Sequence, residues 1–247
     1  MEVSLVSQRR WSAAVVGLAV LAAIGCSGQK VTTKSSSELT RHPVRTLALV
    51  PFTTLNTPQV RELGDPFFAT PQSVRRSDIS VAVPSNVEPP SRQTVTVPAY
   101  AAEKITQLFW TRLRMREGVT VSPASESTKA SPTNVDVSKA TQEAVGAAIA
   151  ARLKADAALV GQVLVFQERV GSRLGADPPA AVGFEVKVVA SDETVLWIGN
   201  YYERQRPMTE DMLGFLQRWG AFVTAEELAQ YGVDEILKEF PFGSSGK

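Results

Sequence analysis

Three stretches in the second half of the chain show the hydrophobic patterns of β-strands. Residues 157–166 are almost all apolar, which is typical of a strand buried on both faces. Over residues 182–188, apolar and polar or glycine positions alternate, so one face of that strand is expected to be wet. Residues 191–193 supply a turn, and residues 195–202 return as the hairpin partner.

The first half of the chain adds two strands and two helices to this pattern. Residues 44–52 open the domain as a strand, and residues 119–121 form a short one. A helix is expected to begin after Pro98 and to end before Gly118. A second helix is expected over residues 138–154, with an inner face of Val145, Ala148, Ile149 and Leu153.

Two amphipathic helices close the chain. The first follows a Thr209 cap, and its apolar stripe consists of Met212, Phe215, Leu216 and Trp219. The second starts at Thr224 with a capping box, and its stripe consists of Val233, Ile236, Leu237 and Phe240. Both stripes are expected to face the core. A partner site centred on Trp219 is the alternative reading of the first stripe.

This order of elements predicts an α/β (α+β) fold: one three-layer-like domain with a mixed β-sheet of about five strands and helices packed on it. The domain is expected over residues 44–240, with a Pro-rich insertion at 53–98. The polar residues 26–43 are expected to form a flexible tether, and residues 241–247 a flexible tail.

The N-terminus has the pattern of an export signal. Arg9 and Arg10 precede residues 11–24, which carry no charge. As a helix this run would reach only about 21 Å, short of the roughly 30 Å hydrocarbon core of a bilayer. A basic start, a short apolar run and small residues at its end predict a signal peptide over residues 1–25.

The end of that signal resembles a bacterial lipobox. The residues are Leu21-Ala22-Ala23-Ile24-Gly25-Cys26, with Ala23 where the usual pattern has Leu. The resemblance implies cleavage between Gly25 and Cys26 and acylation of Cys26 by chains such as palmitate, which would anchor the protein to a membrane. Ser27 in the next position implies sorting to the outer membrane, with the domain facing the periplasm.

The composition limits which kinds of site and which partners the chain can have. The 247 residues contain one Cys and one His, so an intramolecular disulfide or a zinc site of several Cys and His ligands cannot form within one chain. The net charge is +1, from 26 basic and 25 acidic residues, which gives no global attraction to nucleic acid. We therefore expect no cofactor, no metal and no nucleic-acid partner.

Candidate catalytic groups are few. His42 lies before the first expected strand and is read as a solvated residue more readily than as a base. The acidic pairs Asp192/Glu193 and Glu210/Asp211 could in principle perform acid–base chemistry, but the first falls in a turn and the second at a helix start. A Gly-x-Ser-x-Gly motif and a phosphate-binding glycine loop are both missing from the sequence. No catalytic residue is assigned.

Three motifs resemble those of a superfamily that includes the CsgG and PelC lipoproteins and the N-terminal domain of TolB. They are Leu47-Ala48-Leu49-Val50-Pro51-Phe52, Ala155-Asp156-Ala157-Ala158-Leu159-Val160-Gly161-Gln162-Val163 and Val195-Leu196-Trp197. The resemblance covers residues 44–203 and implies a membrane-tethered periplasmic domain, with PelC implying rings. The long alternating hairpins of CsgG-type pores are not found, so a transmembrane pore is not expected.

These observations predict a non-enzymatic assembly or export accessory that binds protein or polysaccharide partners in the envelope, with self-association as a further expectation. A periplasmic binder of small ligands or peptides, using a sheet edge or residues 53–98, is the alternative. An envelope hydrolase is the third and weakest hypothesis.

Overall fold

A mixed β-sheet of seven strands forms the centre of the protein in this computed structural model, which describes residues 30–60, 94–131 and 140–245. The strands of the described residues are β1 (Val31–Ser35), β2 (Thr46–Leu49), β3 (Thr53–Thr54), β4 (Gln59–Val60), β5 (Thr94–Val95), β6 (Arg116–Glu117), β7 (Thr120–Ser122), β8 (Ala157–Gln167), β9 (Ala181–Ala190), β10 (Val195–Arg204) and β11 (Ser244–Ser245). The helices of the same residues are α1 (Ala99–Leu113), α2 (Ala124–Lys129), α3 (Gln142–Leu153), α4 (Met212–Gln217) and α5 (Ala225–Lys238).

The order across the main sheet is β1-β10-β9-β8-β2-β7, and β3 pairs with β8. Strands β8, β9, β10 and β1 are antiparallel neighbours, whereas β2 runs parallel to both β7 and β8. The predicted class is therefore confirmed: a single α+β domain built on a mixed sheet. Seven strands replace the expected five or so, because β1 and β3 were not anticipated.

Helices cover both faces of the sheet and give the three layers that the pattern predicts. Helices α1 and α5 pack on one face, where the rings of Phe109, Phe184 and Tyr201 follow one another with centroids 5.8 Å and 5.3 Å apart. Helix α3 packs on the other face, over a smaller cluster that includes Ala158 and Val189. The sheet is thus buried on both sides over β8 and β9.

Most helix boundaries agree with the sequence signals. Helix α1 begins directly after Pro98, and α5 begins with the predicted capping box: the hydroxyl of Thr224 accepts from the Glu227 N–H at 3.2 Å, and Glu227 accepts from the Thr224 N–H at 2.8 Å. The stripe of α5 is buried as expected. In α3 the predicted Ile149 is buried, together with Gly146, Ala147 and Ala150, whereas Val145, Ala148 and Leu153 are half-buried.

Both segments expected to be flexible contain regular structure. Within residues 26–43, Val31–Ser35 form β1, because the β-branched Val31-Thr32-Thr33 sequence suits a strand and its backbone bonds to β10. Ser37–Arg41 form a 3-10 helix. Within residues 241–247, Phe242 is buried and β11 pairs with β6. The tether and the tail are therefore corrected for residues 31–41 and 242–245.

Arg116 explains why the C-terminus is ordered. Its guanidinium donates to the backbone carbonyls of Leu237, Phe240, Phe242 and Gly243 at 3.0 to 3.3 Å. Burial lowers the pKa of Arg116 from its ordinary value. Arg112, near the end of α1, lies instead at the surface and pairs with Asp234.

Two of the motif residues have clear structural roles. One carboxylate oxygen of Asp156 accepts from the N–H groups of Arg45 and Thr46 at 2.9 and 2.8 Å, which joins the start of β2 to the start of β8. Gly161 lies directly under the ring of Phe52: an added Cβ would lie 2.4 Å from that ring. The Asp-Ala and Pro-Phe motifs therefore hold β2 and β8 together.

The Pro-rich insertion leaves and returns through a small ladder. Strands β4 and β5 pair antiparallel, Gln59 with Val95 and Val60 with Thr94. The intervening residues 61–93 lie outside the described part of the chain, as do the expected signal peptide, its cleavage site at Gly25 and Cys26. Across residues 30–60, 94–131 and 140–245, no helix has the length and apolar character needed to cross a membrane.

Candidate functional site

Of the catalytic candidates named from sequence, the structure brings His42 close to Asp192, whereas Asp211 lies beyond the other end of β10. Asp192 caps the β9–β10 turn by accepting from the Thr194 N–H, which lowers the pKa of Asp192. Asp211 caps α4 by accepting from the Gly214 N–H at 2.9 Å. His42 ends the 3-10 helix, with its Nε2 3.9 Å from Asp192. Among the described residues, no three His, Cys, Asp or Glu side chains gather as metal ligands.

A cleft of about 400 Å³ lies between the start of α5, the end of α4 and the loop from β8 to β9. That volume falls within the range of small-ligand pockets. The lining side chains include Arg173, Arg218, Trp219, Glu227, Tyr231 and Asp234. Aromatic rings and hydrogen-bonding groups therefore meet in one concave surface.

Backbone hydrogen bonds bring these separate segments together. The N–H of Phe222 donates to the carbonyl of Arg173 at 2.8 Å, which fixes the β8–β9 loop beside the chain that follows α4. The buried side chain of Gln205 donates to the Ala221 carbonyl at 2.6 Å and accepts from the Val223 N–H at 2.8 Å. The wall of the cleft is thus tied to the end of β10.

A charged network lies beneath the cleft. Glu203 on β10 and Arg218 after α4 form an ion pair in which the side chains are 6% and 4% exposed. Glu203 also accepts from the Tyr201 hydroxyl at 2.6 Å and lies 3.2 Å from Lys30 Nζ, and Lys30 lies 3.9 Å from Asp211. Two cations and two carboxylates therefore balance one another within the protein.

Burial shifts the ionisation of this network. Desolvation lowers the pKa of Arg218, and it lowers the pKa of Lys30 together with the nearby Arg218 charge. Desolvation likewise raises the pKa of Tyr201, so its hydroxyl stays protonated and donates to Glu203. Arg218 also donates to the Gly214 carbonyl at 2.7 Å, which closes the last turn of α4. The network fixes the position of the next residue, Trp219.

Trp219 is the most unusual residue of the site. Its backbone φ is +60°, in the left-handed region, and its side chain is 92% exposed. A side-chain-bearing residue in that region costs on the order of 1 kcal/mol or more and persists only where neighbours hold it. Here Arg218 is buried on one side, and Gly220 on the other side also has a left-handed φ, of +65°. An exposed indole held at a local cost is a feature typical of a contact surface.

Three of the four side chains in the apolar stripe of the first closing helix face outward, contrary to expectation. Met212 is 59% exposed and Leu216 57% exposed, and Phe215 packs against Phe222 on the inner side. The prediction that Met212, Leu216 and Trp219 face the core is wrong. The reason is that α4 is only six residues long and its ends are held by polar contacts, so packing does not require the whole stripe.

The other charges of the cleft are already paired. Arg173 forms an ion pair with Glu227, whose pKa is lowered chiefly by the hydrogen bond from the Thr224 N–H. Asp234 accepts from Arg112 Nε at 2.6 Å. These carboxylates serve helix capping and ion pairing, so the cleft is equipped to bind through rings and hydrogen bonds. Lys30, Glu203 and Arg218 were not predicted from the sequence, and only Trp219, at the end of a short amphipathic run, gave a signal, as the alternative partner site.

No family model and no curated protein matches the chain. Among solved structures, the PelC dodecamer from Paraburkholderia phytofirmans is 11% identical over 87% of this chain and 99% of that chain, with a TM-score of 0.43. Lipoprotein GNA1162 from Neisseria meningitidis is 13% identical over 70% and 91%, with a TM-score of 0.37. The LpoB C-terminal domain from Escherichia coli is 11% identical over 73% and 89%, with a TM-score of 0.35. These similarities assign the chain to no family, and membership of the CsgG and TolB group stays a prediction.

Proposed function

We propose that the protein is a bacterial envelope lipoprotein that is anchored through acyl chains on Cys26 and binds partners without catalysing a reaction. The observation that carries this proposal is the lipobox-like sequence that ends in Cys26, followed five positions later by Val31, the first residue of β1. Signal, anchor and folded domain thus follow one another with almost no linker. A chain of this design works at a membrane surface.

The state of the carboxylates supports a binding role over a catalytic one. General acid–base catalysis needs a carboxyl group that is free to exchange a proton near its substrate. Glu203 and Asp234 are held by cations, and Asp211 and Glu227 are held by helix-capping hydrogen bonds. We therefore assign the protein to non-enzymatic assembly or export accessories, with protein or polysaccharide partners at the outer membrane and a second copy of the chain as a further partner.

The cleft supports a second candidate function. Its volume of about 400 Å³ suits a small ligand or a peptide side chain, and Trp219 and Tyr231 offer ring surfaces for stacking. A periplasmic binder of small ligands or peptides would use the same residues. The two functions differ in the mass of the molecule bound at the cleft: a macromolecule for the first function, and a small ligand or a peptide for the second.

Site-specific photo-crosslinking in the native cell separates these functions. A photoreactive residue replaces Gln230, an exposed cleft residue on α5, and in a matched control replaces Glu239, an exposed residue at the end of the same helix. We expect adducts of macromolecular size at Gln230 and none of the same mass at Glu239. Adducts at twice the chain mass would identify a second copy as the partner.

Other outcomes decide against the first function. Identical products at both positions would show that the cleft has no special role in partner binding. A small adduct, detected as a mass increase of the chain itself, would favour the ligand-binding function. Lipid anchorage is measured separately from the mass of the N-terminal peptide of the same purified protein.

A further inference from the structure

Large apolar side chains are exposed mainly at one end of the protein. The sheet register places Gln167, Ala181 and Arg204 side by side, so the β8–β9 loop and the chain after β10 leave the sheet at the same end. The exposed apolar side chains in these two segments are Val170, Leu174, Met208, Met212, Leu216 and Trp219. Leu174 is 91% exposed, close to the value for Trp219. Single exposed apolar residues are ordinary in proteins, but a cluster of them marks an interaction surface.

Four of these side chains belong to one short segment. Met212 and Leu216 are four residues apart on α4 and therefore lie on the same side of the helix, with Met208 before it and Trp219 after it. We call these four residues the apolar end face. Its shape is that of an interfacial helix, with apolar side chains outward and a polar network beneath. Trp, like Tyr, is enriched at the level of lipid headgroups.

The strand that follows the proposed anchor starts beside this face. Strand β1 starts at the same end of the sheet, since Val31 pairs with Tyr201 and the Tyr202 N–H donates to the Lys30 carbonyl at 3.0 Å. The Lys30 ammonium lies 3.9 Å from Asp211, the N-cap of α4. Lys30 is four positions after Cys26, and four residues span at most about 14 Å when fully extended. Acyl chains on Cys26 would therefore hold the Lys30 backbone within that distance of the bilayer surface, and the start of α4 lies beyond it by the length of the Lys30 side chain and its contact with Asp211.

We propose that the apolar end face inserts into the interface of the bilayer that holds the acyl chains of Cys26. The contact fixes the orientation of the domain, with the β1 start and the β8–β9 loop toward the lipid and the end of α1 away from it. The inference rests on the proposed lipid anchor. In this arrangement the partner of Trp219 is lipid, and the mouth of the cleft lies next to the membrane.

Quenching of Trp219 by lipid-borne bromine tests the contact. The lipidated protein is purified from bacterial membranes and reconstituted into phosphatidylethanolamine–phosphatidylglycerol vesicles, with or without bromine on the upper acyl carbons. The difference between wild type and Trp219→Phe isolates the emission of Trp219 from that of Trp110 and Trp197. We expect brominated lipid to remove more than about half of the Trp219 emission, because interfacial side chains lie about 5–10 Å deep.

A pair of matched variants checks the geometry. Leu216→Ser removes part of the apolar end face, and Met115→Ser removes an equally exposed apolar side chain after the end of α1, at the opposite end of the protein. We expect Leu216→Ser to weaken Trp219 quenching and Met115→Ser to leave it unchanged. Equal effects of the two variants would contradict the proposed orientation.

The failure of this contact is distinguishable from failure of the anchor. Emission that brominated lipid does not quench, in protein whose N-terminal peptide carries acyl chains, overturns the contact and leaves the anchor intact. If an aqueous quencher also fails to reach Trp219 in that sample, a protein covers the face, which overturns the contact as well. An N-terminal peptide without acyl chains refutes the anchor itself, and with it the basis of this inference.

Discussion

Replacement of Glu203 by Gln should destabilise the protein more than any other single change in the charged network. The change keeps the shape of the side chain and removes its charge, which leaves Arg218 and Lys30 without their shared carboxylate. Breaking a buried pair by removing one partner typically costs about 3–5 kcal/mol. Lys30 is 26% exposed and can be solvated, whereas Arg218 is 4% exposed and keeps one carbonyl, that of Gly214. We therefore expect about 3 kcal/mol, almost all of it from Arg218.

Urea denaturation of the wild type, Glu203→Gln, Arg218→Met and the double variant measures this coupling. The double variant should lose less than the sum of the single losses by at least about 1 kcal/mol, because removing both charges leaves neither one buried and unpaired. Lys30→Gln serves as the partly exposed control and should cost about 1 kcal/mol or less. A loss below about 1 kcal/mol for Glu203→Gln, or strict additivity in the cycle, would refute the view that this ion pair holds Trp219 in position.

Three further predictions concern the fold. Hydrogen bonds from backbone N–H groups lower the pKa of Asp156, so its contribution to stability is present above the ordinary Asp pKa and is lost as pH falls through the lowered one; Asp156→Asn should flatten the decline in urea midpoint between about pH 6 and about pH 3. Gly161→Ala should cost about 1–3 kcal/mol by calorimetry, because its Cβ would overlap the ring of Phe52, and an unchanged melting temperature would contradict that packing. Leu228→Ala should cost about 2–5 kcal/mol and Leu216→Ala less than about 0.5, since only Leu228 is buried, and similar losses would place α4 against the core.

Strands and helices with a strong apolar pattern could be predicted from the sequence. The almost uninterrupted apolar run of β8 and the alternation in β9 depend on local burial, which one chain segment reveals by itself. The capping box at Thr224 is equally local. The predicted sheet, its helices and the start of α5 follow from such signals.

Features that depend on distant partners could not be predicted. The polar composition around Val31 indicates a tether, and only the backbone of β10 makes it an edge strand. Arg116 resembles a solvated cation until the C-terminal carbonyls surround it. The stripe of α4 has the spacing of a core helix, yet the buried pair of Glu203 and Arg218 holds the helix in place with its apolar side outward. Each case depends on a contact between residues far apart in sequence.

In the candidate site too, some features could be predicted from one chain segment and others depend on contacts between distant residues. The alternative reading of Trp219 as a surface for partners came from the sequence, and the cleft beside it came from the fold. Lys30 and Glu203 carried no sequence signal, because a single charged residue next to a strand is ordinary. Their role depends on the pairing of β1 with β10, which brings Lys30 beside Glu203.

The mass of the N-terminal peptide of the mature protein shows whether the protein is anchored through acyl chains on Cys26. The protein is expressed with its own signal in a Gram-negative bacterium, extracted from membranes with detergent and digested with trypsin. We expect the peptide to begin at Cys26, to end at Lys30 and to carry the added mass of a diacylglycerol and an amide-linked acyl chain, with Cys26→Ser giving no such peptide. A peptide that begins elsewhere, or an unmodified Cys26, would refute lipid anchorage through this residue.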